Sequence, residues 1–118
     1  MNETEMKART KKFALRIIKL VLALPRNEPG KVIGNQLMKA GSSVGANYRA
    51  VCRAKSKADF IAKMGTVLEE ADESAFWLEV LMESGLMKPA RIQPLWKEAD
   101  ELCAIFSSSL NTAKANLH

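Results

Sequence analysis

The stretch KADFIAKMGTVLEEADESAFWLEVLMES, residues 57–84, decides the fold. Phe60, Met64, Val67, Ala71, Ser74, Leu78 and Leu81 recur at alternating spacings of four and three, which is the period of one helical face. Ile61, Leu68, Ala75 and Met82, seven apart, make that face wide. Ser56 followed three positions later by Asp59 reads as an N-cap with an acidic residue in the first turn. Gly85 suits a left-handed C-terminal cap, and Pro89 suits the first turn of another helix.

The same rhythm extends to both sides. Ile92, Leu95, Ala99, Leu102 and Phe106, widened by Trp96, Cys103 and Leu110, predict a helix over 89–114. Pro94 falls about one turn inside it and predicts a kink or a short separate turn there. Upstream, Ile33, Leu37, Ala40, Val44, Asn47 and Val51 predict a helix over 31–54 with Asn47 as its polar exception. Met6, Phe13, Ile17, Leu20 and Leu24, with Thr10 in the remaining slot, predict a helix over 4–23. LPRNEPG, residues 24–30, separates these two through Pro25, Asn27, Pro29 and Gly30. Four amphipathic helices with short connections predict an all-α, antiparallel up-and-down bundle, one rod-like domain spanning residues 1–118. Gly34, Gly41 and Gly45 lower helix propensity in the second helix, and close packing against a neighbour is the expected compensation.

Composition narrows the function. No run approaches the roughly 18 apolar residues of a membrane span, and MNETEMKARTKK has no signal-peptide character, so a cytoplasmic protein without membrane association is expected. Cys52 and Cys103 form no CxxC pair and the sole histidine is His118, so neither a zinc site nor a His-based triad is expected. Glu69 and Glu73 in LEEADE sit four apart, but Glu69, Asp72 and Glu73 project away from the apolar seam and Glu70 lies at its edge. They read as an acidic surface, solvated or facing another subunit. No catalytic residue, metal or cofactor is assigned, and a non-enzymatic role is expected.

Charge is divided unevenly. Residues 1–63 carry 14 Lys and Arg against 4 Asp and Glu, a balance of +10; residues 64–118 carry 4 against 9, a balance of −5. Such asymmetry calls for an anionic partner or for attraction between the halves, within one chain or between chains. Arg9, Lys12, Arg16 and Lys19 form a strip at spacings of three and four, and Lys39, Arg49 and Arg53 lie on the outward side of the second helix. These seven are the expected contacts to nucleic-acid phosphates, held electrostatically without base readout. Few aromatics interrupt them, which disfavours base stacking. Leu15, Ile18 and Leu22 form a second apolar stripe opposite the core face; with Tyr48 and Trp77 as outer anchors, they predict self-association. Asn47 and Ser74 are expected to be a buried hydrogen-bonded pair. A protein-interaction scaffold with an acidic partner is the alternative.

QLMKAGSSVGANYRAVCRAKSKADFIAKMGTVLEEADESAFWLEVL, Gln36–Leu81, resembles the four-helix-bundle family of S23-type proteins encoded by ribosomal RNA intervening sequences. SSVGANYRA, RAKSKADF and EEADESAFWLEVL carry the likeness, and FALRIIKLVLALPRNEPGKVIGNQL and the tail after Gly85 extend it over nearly the whole chain. The resemblance implies a ring-like homopentamer of four-helix protomers, a nucleic-acid-binding role, and architectural roles for Ser43, Asn47, Glu70 and Ser74. A more distant similarity, to the accessory variability determinant of diversity-generating retroelements, implies structured RNA and a reverse transcriptase as partners, by analogy of fold alone.

Overall fold

The structure is a computed structural model that describes residues 2–116; His118 lies outside the described residues. It contains four helices, α1 (Glu3–Leu22), α2 (Glu28–Cys52), α3 (Lys57–Ser84) and α4 (Pro89–Ala115), and no strand among the described residues. The bundle measures 50 × 23 × 20 Å, the rod that helices of 20 to 28 residues dictate.

Local chemistry sets the helix ends. The Asn27 side-chain oxygen accepts from the Gly30 N–H at 2.9 Å, and Pro29 occupies the first turn, where it forfeits little. α2 therefore begins at Glu28, three residues before the start that the Pro- and Gly-rich composition of 24–30 predicts. Gly85 adopts φ 78°, the left-handed cap expected after α3. Pro94 does not divide α4, which is a single helix from Pro89 to Ala115. Its missing N–H removes one bond near the N-terminus, to the carbonyl of solvent-exposed Ala90, while burial of Ile92, Leu95 and Ala99 holds the turns around it.

At the start of α3, Ser56 Oγ accepts from the Asp59 N–H at 3.0 Å. Asp59 in turn accepts from the Lys55 N–H at 3.0 Å and from Lys63 Nζ at 2.8 Å. The Lys63 hydrogen bond first, and the Lys55 N–H second, hold the Asp59 carboxyl below its ordinary range. A depressed folded-state pKa stabilises above the unfolded value and loses that stabilisation as pH falls through the folded value. Asp59→Asn should therefore speed amide exchange in the first turn of α3 at neutral pH, and the difference from the wild type should vanish in acid, as hydrogen exchange across that range would show.

Packing registers the helices. Positions Gly45, Gly41 and Gly34 of α2 face Thr10, Ile17 and Val21 of α1, so the two helices run oppositely. Arg9 opposite Glu98, and Lys57 opposite Asn116, set α4 antiparallel to α1 and α3. α1 runs close to α2 and approaches α4 only lightly, and the backbones of α1 and α3, at diagonal corners, do not come close. A Cβ at Gly41 would lie 2.7 Å from Ile17 Cγ1, and one at Gly45 would lie 3.4 Å from the Thr10 backbone. Close approach of α1 is thus the compensation for these glycines. The core holds Phe13, Ile17, Leu37, Val67, Leu78, Ile92, Leu102 and Phe106, all but excluded from water; each such side chain contributes about 1.5–3 kcal/mol by its burial.

Among the described residues two polar side chains are buried, Thr10 and Ser74. Both bond back to their own helices: Thr10 Oγ1 donates to the Met6 carbonyl at 2.9 Å and Ser74 Oγ to the Glu70 carbonyl at 2.8 Å. The expected Asn47–Ser74 pair is not formed, because Asn47 is only half-buried and Tyr48 takes the inward position. The reason is the glycine seam. Gly34, Gly41 and Tyr48 are seven apart, and burial of the small residues against α1 turns the inward face of α2 past Asn47.

Candidate nucleic-acid interface

The seven cations expected on one surface are distributed over several. Arg9, partly exposed, is held in an ion-pair clamp. Its Nε donates to Glu98 Oε2 at 2.8 Å, while Nη2 donates to Glu98 Oε1 at 2.7 Å and to Glu101 Oε2 at 2.8 Å. The Glu98 hydrogen bond is the largest of the effects that raise the Arg9 pKa above its ordinary value. With its fork committed to two carboxylates, Arg9 is the tie across the lightly packed α1–α4 seam and not an open phosphate contact. Arg16 and Lys19 lie on the same side of α1, where they share a cleft with Arg91 over a floor of Leu20, Pro94 and Leu95. Lys12 and Lys39 are exposed, Lys12 on the outer flank of α1 and Lys39 on the outside of α2.

Arg49 and Arg53 are brought to a different place. Together with Lys7 and Lys11 of α1 they line an open groove of about 470 Å³ along the α1–α2 seam, over a floor of Ala14, Ser42, Gly45 and Ala46. No carboxylate and no aromatic ring lines it. Its shape follows from the glycine contact: α1 and α2 approach closely at Gly45, small side chains leave a trough above, and one-turn pairs of cations, Lys7 with Lys11 and Arg49 with Arg53, rise on the two banks. Within each bank the Cβ atoms stand about 5–6 Å apart. Arg49 and Arg53 were legible from the outward face of α2. Lys7 and Lys11 escaped because they lie on the far side of α1 from the Arg9 strip; the small residues Ala14, Gly45 and Ala46 were the signal that the two helices join there.

The apolar candidates also separate. Leu15, Ile18 and Leu22 are exposed at 53%, 37% and 80%. Tyr48 is instead a core residue, its ring 5.9 Å from that of Phe106, and its hydroxyl is pushed up to about 12, first by burial and then by the neighbouring Cys52. Trp77 is partly buried against the core, and Phe76 beside it is the exposed aromatic, at 52% and 5.1 Å from Trp77 in an edge-to-face pair. On α3, burial and the neighbouring carboxylates of Glu73 and Glu69 raise the Glu70 pKa. Cys103 is pushed up to about 11, chiefly by burial, which leaves it a poor nucleophile. Among the described residues no group of three or more His, Cys, Asp or Glu is placed to hold a metal ion, and no helix is long and apolar enough to cross a membrane.

A family model described as 23S rRNA-intervening sequence protein matches residues 2–108. A crystal structure of a protein of unknown function from the S23 ribosomal protein family of Bacteroides thetaiotaomicron VPI-5482 is similar along almost its whole length. Identity is 30% over 94% of this chain and 99% of that one, with a TM-score of 0.85. No curated protein matches the chain.

Proposed function

The chain belongs to the 23S rRNA-intervening sequence protein family, and from that premise we propose that it is a non-enzymatic, self-associating nucleic-acid-binding protein that holds structured RNA or DNA by its phosphates. The observation that supports this reading is the α1–α2 groove, where Lys7, Lys11, Arg49 and Arg53 converge with no carboxylate among the lining residues. One-turn spacing of cations along both banks suits a phosphodiester strand lying lengthwise. The absence of aromatic rings from the lining leaves bases unstacked and pointing away, so the groove favours backbone over sequence. Self-association through the exposed Leu15, Ile18 and Leu22, as a ring of five in the form the family resemblance implies, would repeat the groove around the assembly and raise the effective concentration of sites on an extended polyanion.

Fluorescence anisotropy with a folded RNA tests the reading. Four phosphate contacts per protomer imply a plot of log affinity against log salt with a slope near −3 to −4. Reversing Lys7 and Arg49 to Glu should weaken binding at least about tenfold, in the same proportion for unrelated sequences, and flatten the slope by about two. Reversing Arg16 and Arg91, on the α1–α4 side, should cost less. Absent or salt-independent binding by the wild-type protein would reject the mechanism.

A further inference from the structure

Two helix faces of this chain mirror each other. On α1, the residues one and two turns from Leu15 are Ala8, Lys11, Lys12, Ile18, Lys19 and Leu22: an apolar centre edged only by positive charge. On α3, the corresponding neighbours of Phe76 are Glu69, Asp72, Glu73, Glu79 and Glu83, with Val80 the single apolar one: an aromatic centre edged only by negative charge. Leu15 and Phe76 are both about half exposed, and all the named Lys, Asp and Glu residues are exposed. Among the described residues none of these charges takes part in a salt bridge; the bridges join Arg9 to Glu98 and Glu101, and Lys63 to Asp59.

A single copy cannot join the two faces. α1 and α3 occupy diagonal corners of the bundle with no close backbone approach, and both faces lie on the exposed side of their helices, so the attraction written into the +10 and −5 halves of the sequence is unmet at these faces within one chain. Their heights along the rod nevertheless agree. Arg9 meets Glu98 and Glu101, and Arg16 adjoins Arg91, Pro94 and Leu95, which sets Leu15 level with about residue 94 of α4. Counting back from the contact between Lys57 and Asn116 sets Phe76 level with about residue 97. The offset, ~5 Å, is no more than one helical turn.

We infer that the outer face of α1 docks on the outer face of α3 of a second copy, so that protomers associate side by side through two non-identical surfaces. The inference deepens the self-association part of the proposed function and rests on it. Leu15, Ile18 and Leu22 meet Phe76 and Val80, and Lys12 and Lys19 meet the carboxylates around Phe76. Each docked copy leaves one face of each kind free for the next, the arrangement of a heterologous contact, and the near-equal heights give adjacent copies little axial stagger. Lys7, Arg49 and Arg53 lie outside this contact and Lys11 stands at its edge, where the docking face borders the α1–α2 groove.

Sedimentation velocity on the full chain tests the pairing. Lys12→Glu with Lys19→Glu should weaken association at least tenfold, and so should Glu69→Lys with Glu73→Lys. An equimolar mixture of the two variants should recover association, because each reversed face finds its complement on the other variant. Phe76→Ala should weaken association while leaving circular-dichroism melting of dilute, dissociated protein unchanged, which separates docking from folding. Wild-type assembly that survives the α3 reversal and Phe76→Ala would overturn this pairing while leaving self-association standing, as a contact between two α1 faces would do. A wild-type protein that stays monomeric at every concentration would overturn both.

Discussion

Phe106→Ala should lower the unfolding free energy by about 3–5 kcal/mol, the range for truncating a fully buried phenylalanine. Phe106 is 1% exposed on the inner face of α4, and its ring lies 5.9 Å from Tyr48 at a tilt of 33°. Truncation forfeits the transfer free energy of the ring, leaves a void between α2 and α4, and removes the aromatic pair, which alone is worth about 0.5–1.5 kcal/mol. Near the melting midpoint of a chain this long, a loss of that size is about 12–20 °C in Tm. Calorimetry provides the measurement, and Phe76→Ala its control. Phe76 is also a helical phenylalanine but is 52% exposed, so its removal should leave the stability of the dissociated protomer within about 0.5 kcal/mol. A comparable loss at Phe76 would mean that α3's outer face is covered within the chain, against both the fold and the docking face assigned to it.

That contrast marks what the sequence could and could not disclose. Phe60, Met64, Val67, Ala71, Ser74, Leu78 and Leu81 follow one period for six turns of α3, and all but the half-buried Phe60 are buried as the period requires. Apolar side chains announce their burial by repetition, so the helices, the core and the exposed Leu15, Ile18 and Leu22 stripe were readable. Glycine announces nothing on a hydrophobicity count. Because Gly34 and Gly41 were not counted as apolar, the predicted face of α2 took in Asn47 as its polar exception, and the neighbouring Tyr48 was placed outside. Trp77 was likewise placed at the outer flank, where Phe76 is the exposed aromatic, since a face as wide as that of α3 leaves the identity of its edge residues to small rotations. The charges posed a different problem. Arg9, Lys12, Arg16 and Lys19 share a strip by spacing, but what a lysine or arginine meets depends on the neighbouring helix. Glu98 and Glu101 on α4 took Arg9, whereas small residues on α2 opened the groove beside Lys7 and Lys11.

Gly41→Val should destabilise the bundle by about 3 kcal/mol through overpacking. A Cβ at this position already falls 2.7 Å from Ile17 Cγ1, 3.2 Å from Cγ2 and 3.3 Å from Cβ, and Ile17 is a stiff β-branched residue with 1% exposure, so neither side can yield by a rotamer change alone. The branched valine makes the conflict worse, and relief requires α1 to move off α2. α1 has little else to hold it, since it touches α4 lightly and is tied there chiefly by the Arg9 clamp. Hydrogen exchange should therefore accelerate along α1 before it does along α3 and α4. The consequence for binding is sharper than the loss of stability. Lys7 and Lys11 stand on one bank of the groove and Arg49 and Arg53 on the other, so separating the helices splits four convergent cations into two pairs. The salt slope for folded RNA should then fall to about half its wild-type value, with all four charges still present. Unchanged affinity and slope in a protein whose α1 has demonstrably loosened would place the phosphate contacts elsewhere than the α1–α2 seam.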